Sequence, residues 1–181
     1  SYRSSVHRSQ YTFLTLRFFY TSITLTGINL PQLTNIGYSA FYNCTGLTSI
    51  DLPQAIGIGE RAFQDCTALA SIDLPKVTNI GIGAFVGCGK LASIYLPQVT
   101  DIGVSAFWSC TGLKSIDLPQ AIGIGERAFP DCTAPTRIDL PKFPPTRLGI
   151  IVGTEHMASP TLPPPPHHNN TATLAYPTHE H

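Results

Sequence analysis

The sequence predicts a β-rich α/β solenoid in which every coil contributes one short strand and one tight return. Three observations predict it. Phe41, Phe63, Phe85, Phe107 and Phe129 stand 22 residues apart, and Cys44, Cys66, Cys88, Cys110 and Cys132 keep the same step. Leu-Pro recurs with that step at 30, 52, 74, 96, 118 and 140. Twenty-two residues leave no room for a full-length helix and a crossover, so each repeat closes as one coil stacked on the next.

Five full repeats span 25–46, 47–68, 69–90, 91–112 and 113–134, and a sixth begins at Pro135 and loses the pattern after Lys142. The chain divides accordingly. Residues 1–24 form an N-terminal flank or cap, 25–142 the solenoid, and 143–181 a Pro/His-rich flank. Within that flank, 159–181 is too rich in proline and polar residues to bury a core and is expected to be disordered. A longer period overlies the first. Repeats 47–68 and 113–134 differ only at Thr48/Lys114 and Gln64/Pro130, so a unit of three repeats stands duplicated.

Within a repeat, Leu47-Thr-Ser-Ile50-Asp-Leu52 alternates, which predicts a strand with Ile50 and Leu52 inward and Asp51 outward. Pro53 ends it, because proline donates nothing to a ladder. A turn at Gly57 follows, then an inward Ile58, then a short helical or 3-10 return from Glu60 to Phe63, and Cys66 closes the unit. Leu47, Ile50, Leu52, Ile58, Ala62 and Phe63 represent the core columns.

Gly57-Ile58-Gly59-Glu60-Arg61-Ala62 matches the G-x-G-x-x-G/A pattern of dinucleotide sites, and it returns at 123–128. The βαβ context that gives the pattern its meaning is missing. Asn35, Asn79 and Asp101 replace the first glycine in sister repeats, whereas the second is kept as Gly37, Gly59, Gly81, Gly103 and Gly125. A cofactor does not need five stacked copies of one turn, so the glycines read as backbone geometry and no cofactor is expected.

The motif L-x-x-I-x-L-P, then I-G, A-F and C-x-x-L, resembles the BspA-type, or treponemal, leucine-rich repeat. Leu47, Ile50, Leu52, Pro53, Ile58, Gly59, Ala62, Phe63, Cys66 and Leu69 carry it in one repeat, and it covers residues 25–142. The resemblance implies a right-handed leucine-rich-repeat solenoid with a parallel sheet on its concave face. It also implies a cell-surface or secreted location and adhesion to a protein partner or an extracellular-matrix component.

Composition narrows the function classes. Eleven basic residues balance eleven acidic ones, so no surplus exists to neutralise phosphates, and nucleic acid is not an expected partner. The apolar run 11–25 resembles a targeting segment, but Arg17 interrupts it, no clean cleavage site follows, and it is too short to span a bilayer. No histidine occurs between His7 and His156, and no serine, histidine and acid recur together, so the chain does not read as an enzyme. Five cysteines in a column are an odd number with parallel side chains and no C-x-x-C pair. They read as reduced core thiols rather than disulfides or a metal site.

Two surface columns remain. The outward strand position carries Asn29, Asp51, Asp73, Tyr95, Asp117 and Asp139, flanked by Gln54, Lys76, Gln98 and Gln120. This is either a solvated sheet face or an acidic strip that meets a partner. The second column pairs Tyr38 with Tyr42, Ile82 with Val86 and Val104 with Trp108, which either pack on neighbouring segments or form an exposed patch. Asn43-Cys44-Thr45 and Asn169-Asn170-Thr171 match the glycosylation acceptor pattern, and the tail histidines 156, 167, 168, 179 and 181 encode no fixed ligand geometry.

Overall fold

The computed structural model describes residues 13–14, 19, 21–129, 131–132 and 137–139. The end of the sixth repeat, the C-terminal flank with its histidines and expected disorder, and Pro130 lie outside the described residues.

Among the described residues, twelve short strands build two columns. One holds β2 (Gly27–Asn29), β4 (Ser49–Asp51), β6 (Ser71–Asp73), β8 (Ser93–Tyr95), β10 (Ser115–Asp117) and β12 (Arg137–Asp139). These pair in parallel as β2 with β4, β6 with β8 and β10 with β12, each residue opposite the one 22 positions on. The strand predicted at 47–52 is thus present, and proline follows it. Ile50, Ile72, Ile94 and Ile116 point inward and the flanking Ser and Asp or Tyr point out.

The second column was not anticipated. β1 (Phe13–Leu14), β3 (Asn35–Ile36), β5 (Gly57–Ile58), β7 (Asn79–Ile80), β9 (Asp101–Ile102) and β11 (Gly123–Ile124) form one continuous six-stranded parallel sheet. Gly57 is therefore a strand residue and not the expected turn. It shares a ladder position with Asn35 and Asn79, and its backbone is not left-handed. β1 pairs with β3 in register, and Phe19 stacks on Phe41, so the N-terminal flank carries the solenoid pattern one coil further back.

The expected helical return is also corrected, because no helix occurs among the described residues. The N–H groups alternate in direction. Ala40, Tyr42 and Cys44 donate back three residues within their own coil, to Gly37, Ser39 and Phe41 at 3.2–3.3 Å. Ser39, Phe41 and Asn43 donate to the next coil, to Glu60, Ala62 and Gln64 at 2.7–2.9 Å. A helix turns every N–H along one axis, so it cannot serve both directions. Left-handed residues make the alternation: Ser39, Arg61, Gly83, Ser105 and Arg127 in one column, and Thr21, Asn43, Asp65, Gly87, Ser109 and Asp131 in another.

The core lies between the two strand columns and this return. Phe19, Phe41, Phe63, Phe85, Phe107 and Phe129 form one stack with centroids 5.2–5.3 Å apart and planes within 9°. All but Phe19 are fully buried. A core column that the sequence reading passed over, Leu33, Ala55, Val77, Val99 and Ala121, follows each Leu-Pro and is buried throughout. Its signal was the unbroken apolar character of that position.

The glycine column has a steric cause. A Cβ on Gly59 would lie 2.8 Å from the Gly37 carbonyl carbon, on Gly81 2.6 Å from the Glu60 nitrogen, and on Gly103 2.6 Å from the Gly81 carbonyl carbon. Real Cβ atoms do not sit so close to backbone, so each glycine lets one coil rest on the last.

Candidate functional site: the outer face of the first strand column

Strand alternation sends two side chains per coil outward. Asp51, Asp73, Tyr95 and Asp117 are exposed, as predicted, and Ser49, Ser71, Ser93 and Ser115 are exposed beside them. The serines were missed as part of this surface, although they lie two residues before each acid and so share its face. Asn29 is also exposed. Asp139 falls on β12 opposite Asp117 by backbone register, and its side chain lies outside the described residues.

None of Asp51, Asp73, Tyr95 and Asp117 makes a side-chain hydrogen bond or ion pair among the described residues. The strip therefore presents three carboxylates and one phenol to solvent, with Tyr95 57% exposed between the acids of neighbouring coils. The flanking column is partly tied down, since Lys76 Nζ donates to Gln54 Oε1 at 2.6 Å. Gln98 is exposed, and Gln120 is half-buried and partnered. An open, shallow depression of about 440 Å³ lies over β2 and β4, lined by Gly27, Ile28, Asn29, Ser49, Ile50 and Asp51, where Gly27 stands in the serine column.

The second predicted patch is only partly a surface. Tyr38, Ile82, Val104 and Trp108 are exposed, while Tyr42 and Val86 are half-buried. Trp108 is oriented by its indole N–H, which donates to Asp131 Oδ2 at 2.9 Å. Ile56 and Ile122 add exposed apolar groups beside the six-stranded sheet, where the sister repeats carry Thr34, Thr78 and Thr100.

The cysteine column faces inward. All five thiols are free and buried, and four donate to the carbonyl of the phenylalanine 25 residues earlier at 3.0–3.1 Å. Burial pushes Cys88 and Cys132 up to about 12 and raises Cys110 well above its ordinary range. Such thiols are weak nucleophiles and poor metal ligands, because both roles need the thiolate. Among the described residues, no three His, Cys, Asp or Glu side chains gather as a metal-binding cluster.

The repeat geometry coincides with a known family. Residues 12–136 match the model of the BspA type leucine rich repeat region, in six copies. The chain belongs to the BspA-type leucine-rich-repeat family. Its BspA-type fold is similar to that of a leucine-rich repeat protein of T. pallidum, TpLRR, with a TM-score of 0.68 and 33% identity. That match covers 72% of this chain and 65% of TpLRR. A leucine-rich repeat protein of Bacteroides ovatus ATCC 8483 aligns with a TM-score of 0.59 and 36% identity, over 64% of this chain and 34% of that one. The BspA-type array thus spans less than two-thirds of the length of either structure. No curated protein matches the chain.

Proposed function

We propose that this BspA-type array is a non-catalytic binding module that meets a protein partner, such as a matrix or host-surface protein, through the outer face of the first strand column. One observation carries the reading. Asp51, Asp73, Tyr95 and Asp117 are exposed on a regular lattice and form no side-chain hydrogen bond or ion pair among the described residues. Parallel strands space such groups about 4.8 Å apart. The acids favour a partner with basic groups at matching intervals, and Tyr95 supplies the large amphipathic contact common at interface centres. Rigid presentation lowers the ordering cost of binding, since the backbone is already fixed by the solenoid.

The test is a binding screen of the purified chain against extracellular-matrix and host-surface proteins. A variant with Asp51, Asp73 and Asp117 changed to lysine runs beside it, and circular dichroism checks that both are folded. Binding that the variant loses supports the strand face. Binding that survives the three changes moves recognition elsewhere, with the Tyr38, Ile82, Val104 and Trp108 surface next in line. Failure of both folded proteins to bind favours a second reading, a structural piece of a longer surface protein with no ligand of its own. The 65% and 34% coverage of the two solved structures supports that alternative.

A further inference from the structure

The side of the solenoid that carries the six-stranded sheet reads the same in both directions along the stack. The position before each of its strands holds Ile56, Thr78, Thr100 and Ile122 in successive coils. The outward strand position beside it reads Gly57, Asn79, Asp101, Gly123. On the far edge of the strands stand Glu60, Ile82, Val104 and Glu126. Each column has the same residue at its two ends and residues of like shape at its two centres. Ile56 and Ile122 are 47% and 65% exposed, and Ile82 and Val104 are exposed as well. Apolar groups set out in this way mark an interaction surface.

We propose that this side joins a second copy of the chain, face to face, with the coils of the two copies running in opposite directions. A two-fold axis parallel to the strands relates such copies, so every column meets its own reverse. Ile56 meets Ile122 of the second copy, Thr78 meets Thr100, and Ile82 meets Val104, each contact occurring twice. At the centre, the exposed Asn79 amide donates to the exposed Asp101 carboxylate of the second copy. At the ends Glu60 falls opposite Glu126, and each glutamate is followed by an arginine, Arg61 or Arg127. A Glu-Arg pair thus meets a Glu-Arg pair, and neither end gathers net charge.

The phenylalanine stack keeps this register over four coils. The rings of Phe63, Phe85, Phe107 and Phe129 are 5.2–5.3 Å apart with planes within 9°, so successive coils hardly rotate. Ile56 and Ile122 therefore lie in one straight column, about 15 Å apart. A strongly twisted sheet diverges from its reverse after a strand or two. The first strand column does not fit a second copy in the same way. Reversed, Asp51 meets Asp117 at both ends, and like charges directly opposite repel. The dimer face is separate from the proposed binding face and leaves it open.

Sedimentation equilibrium of the full chain up to about 100 µM tests this. The unchanged protein should dimerise. Ile82→Lys, and separately the double variant Ile56→Thr/Ile122→Thr, should each weaken the dimer about tenfold or more, since every contact counts twice. Threonine already occupies that column in the sister coils, so the double variant keeps the fold. The variant with Asp51, Asp73 and Asp117 changed to lysine should dimerise as before. A second double variant, Ile56→Cys/Ile122→Cys, checks the direction of the coils. Under mild oxidation it should form a covalent dimer that neither single variant forms. The two positions are too far apart for a disulfide within one chain, and the native thiols are buried. A monomer at every concentration overturns the proposal, as does a dimer that both Ile variants leave intact or that only the aspartate variant loses. Covalent dimer formed as fast by either single cysteine variant overturns the antiparallel arrangement.

Discussion

The thiol of Cys66 donates to the carbonyl oxygen of Phe41 at 3.1 Å, across 25 residues of chain and one coil boundary. The same oxygen accepts the backbone N–H of Cys44 at 3.2 Å, so both of its lone pairs are used. Each cysteine is therefore a core residue and a rivet between coils. The contact recurs from Cys88 to Phe63 and from Cys110 to Phe85.

Because all five thiols are buried, and burial raises Cys88, Cys110 and Cys132 above their ordinary range, the folded protein should react with a thiol reagent such as DTNB no faster than it opens. Five equivalents should appear on unfolding in guanidinium. Rapid stoichiometric labelling of the native protein would contradict the inward column. Cys88→Ala should lower stability by about 1–2 kcal/mol, since a weak hydrogen bond and a small packed volume are lost together.

Stability should fall at alkaline pH. The Cys88 thiol titrates from its ordinary value near 9 in the unfolded chain and at about 12 when folded. Between those values the unfolded state has released a proton that the folded state still holds. The stability is fully present below pH 9 and is lost as the pH rises toward 12. Each such thiol contributes a slope of about 1.4 kcal/mol per pH unit in that window. Urea melts at pH 8, 9 and 10 check this, and Cys88→Ala should flatten the slope by about one thiol.

The phenylalanine stack sets the largest single-residue effects. Phe85 is fully buried between Phe63 and Phe107, at 5.2 and 5.3 Å. Phe85→Ala should cost about 3–5 kcal/mol, and Phe85→Leu less, because leucine refills part of the cavity. Thermal melts of the two variants give the order, and equal losses would argue against the stack as the organising element.

The two glycine positions of the short motif, taken in neighbouring repeats, should behave oppositely. Gly81→Ala places a methyl 2.6 Å from the Glu60 nitrogen and the Gly59 carbonyl carbon, so it should cost about 1–3 kcal/mol or block folding. Gly57→Asn should change stability by less than about 0.5 kcal/mol, because Asn35 and Asn79 already occupy that ladder position on either side. Saturable NAD binding abolished by a folded Gly59→Ala would revive the nucleotide reading of the motif.

The left-handed columns offer a gain. Arg61 holds φ at 54°, where its sister is Gly83 at 61°. Arg61→Gly should stabilise by a few tenths to about 1 kcal/mol, with relief of strain opposed by a looser unfolded chain. The ion pair it gives up, to Glu60 at 3.6 Å, is exposed and worth little. Arg61→Val should destabilise, since a β-branched side chain fits this region worst.

The sequence by itself determined the coil. A 22-residue step in Phe, Cys and Leu-Pro requires equivalent positions to stack, and alternation around Ile50 shows which side chains leave the core. The acids at 51, 73 and 117 and Tyr95 could be assigned to one outer face for that reason, and Ser49, Ser71, Ser93 and Ser115 follow from the same period. The backbone between the side chains was decided only by tertiary structure. Strands of two residues, such as Gly57–Ile58, are too short to show a period and exist because neighbouring coils offer hydrogen bonds. The return from 37 to 44 reads as a helical turn locally. It is unwound because alternate N–H groups find better acceptors in the next coil than in their own. The glycine at 59 looked like a ligand loop in one repeat, and its cause, the backbone of the coil before, lies 22 residues away in sequence.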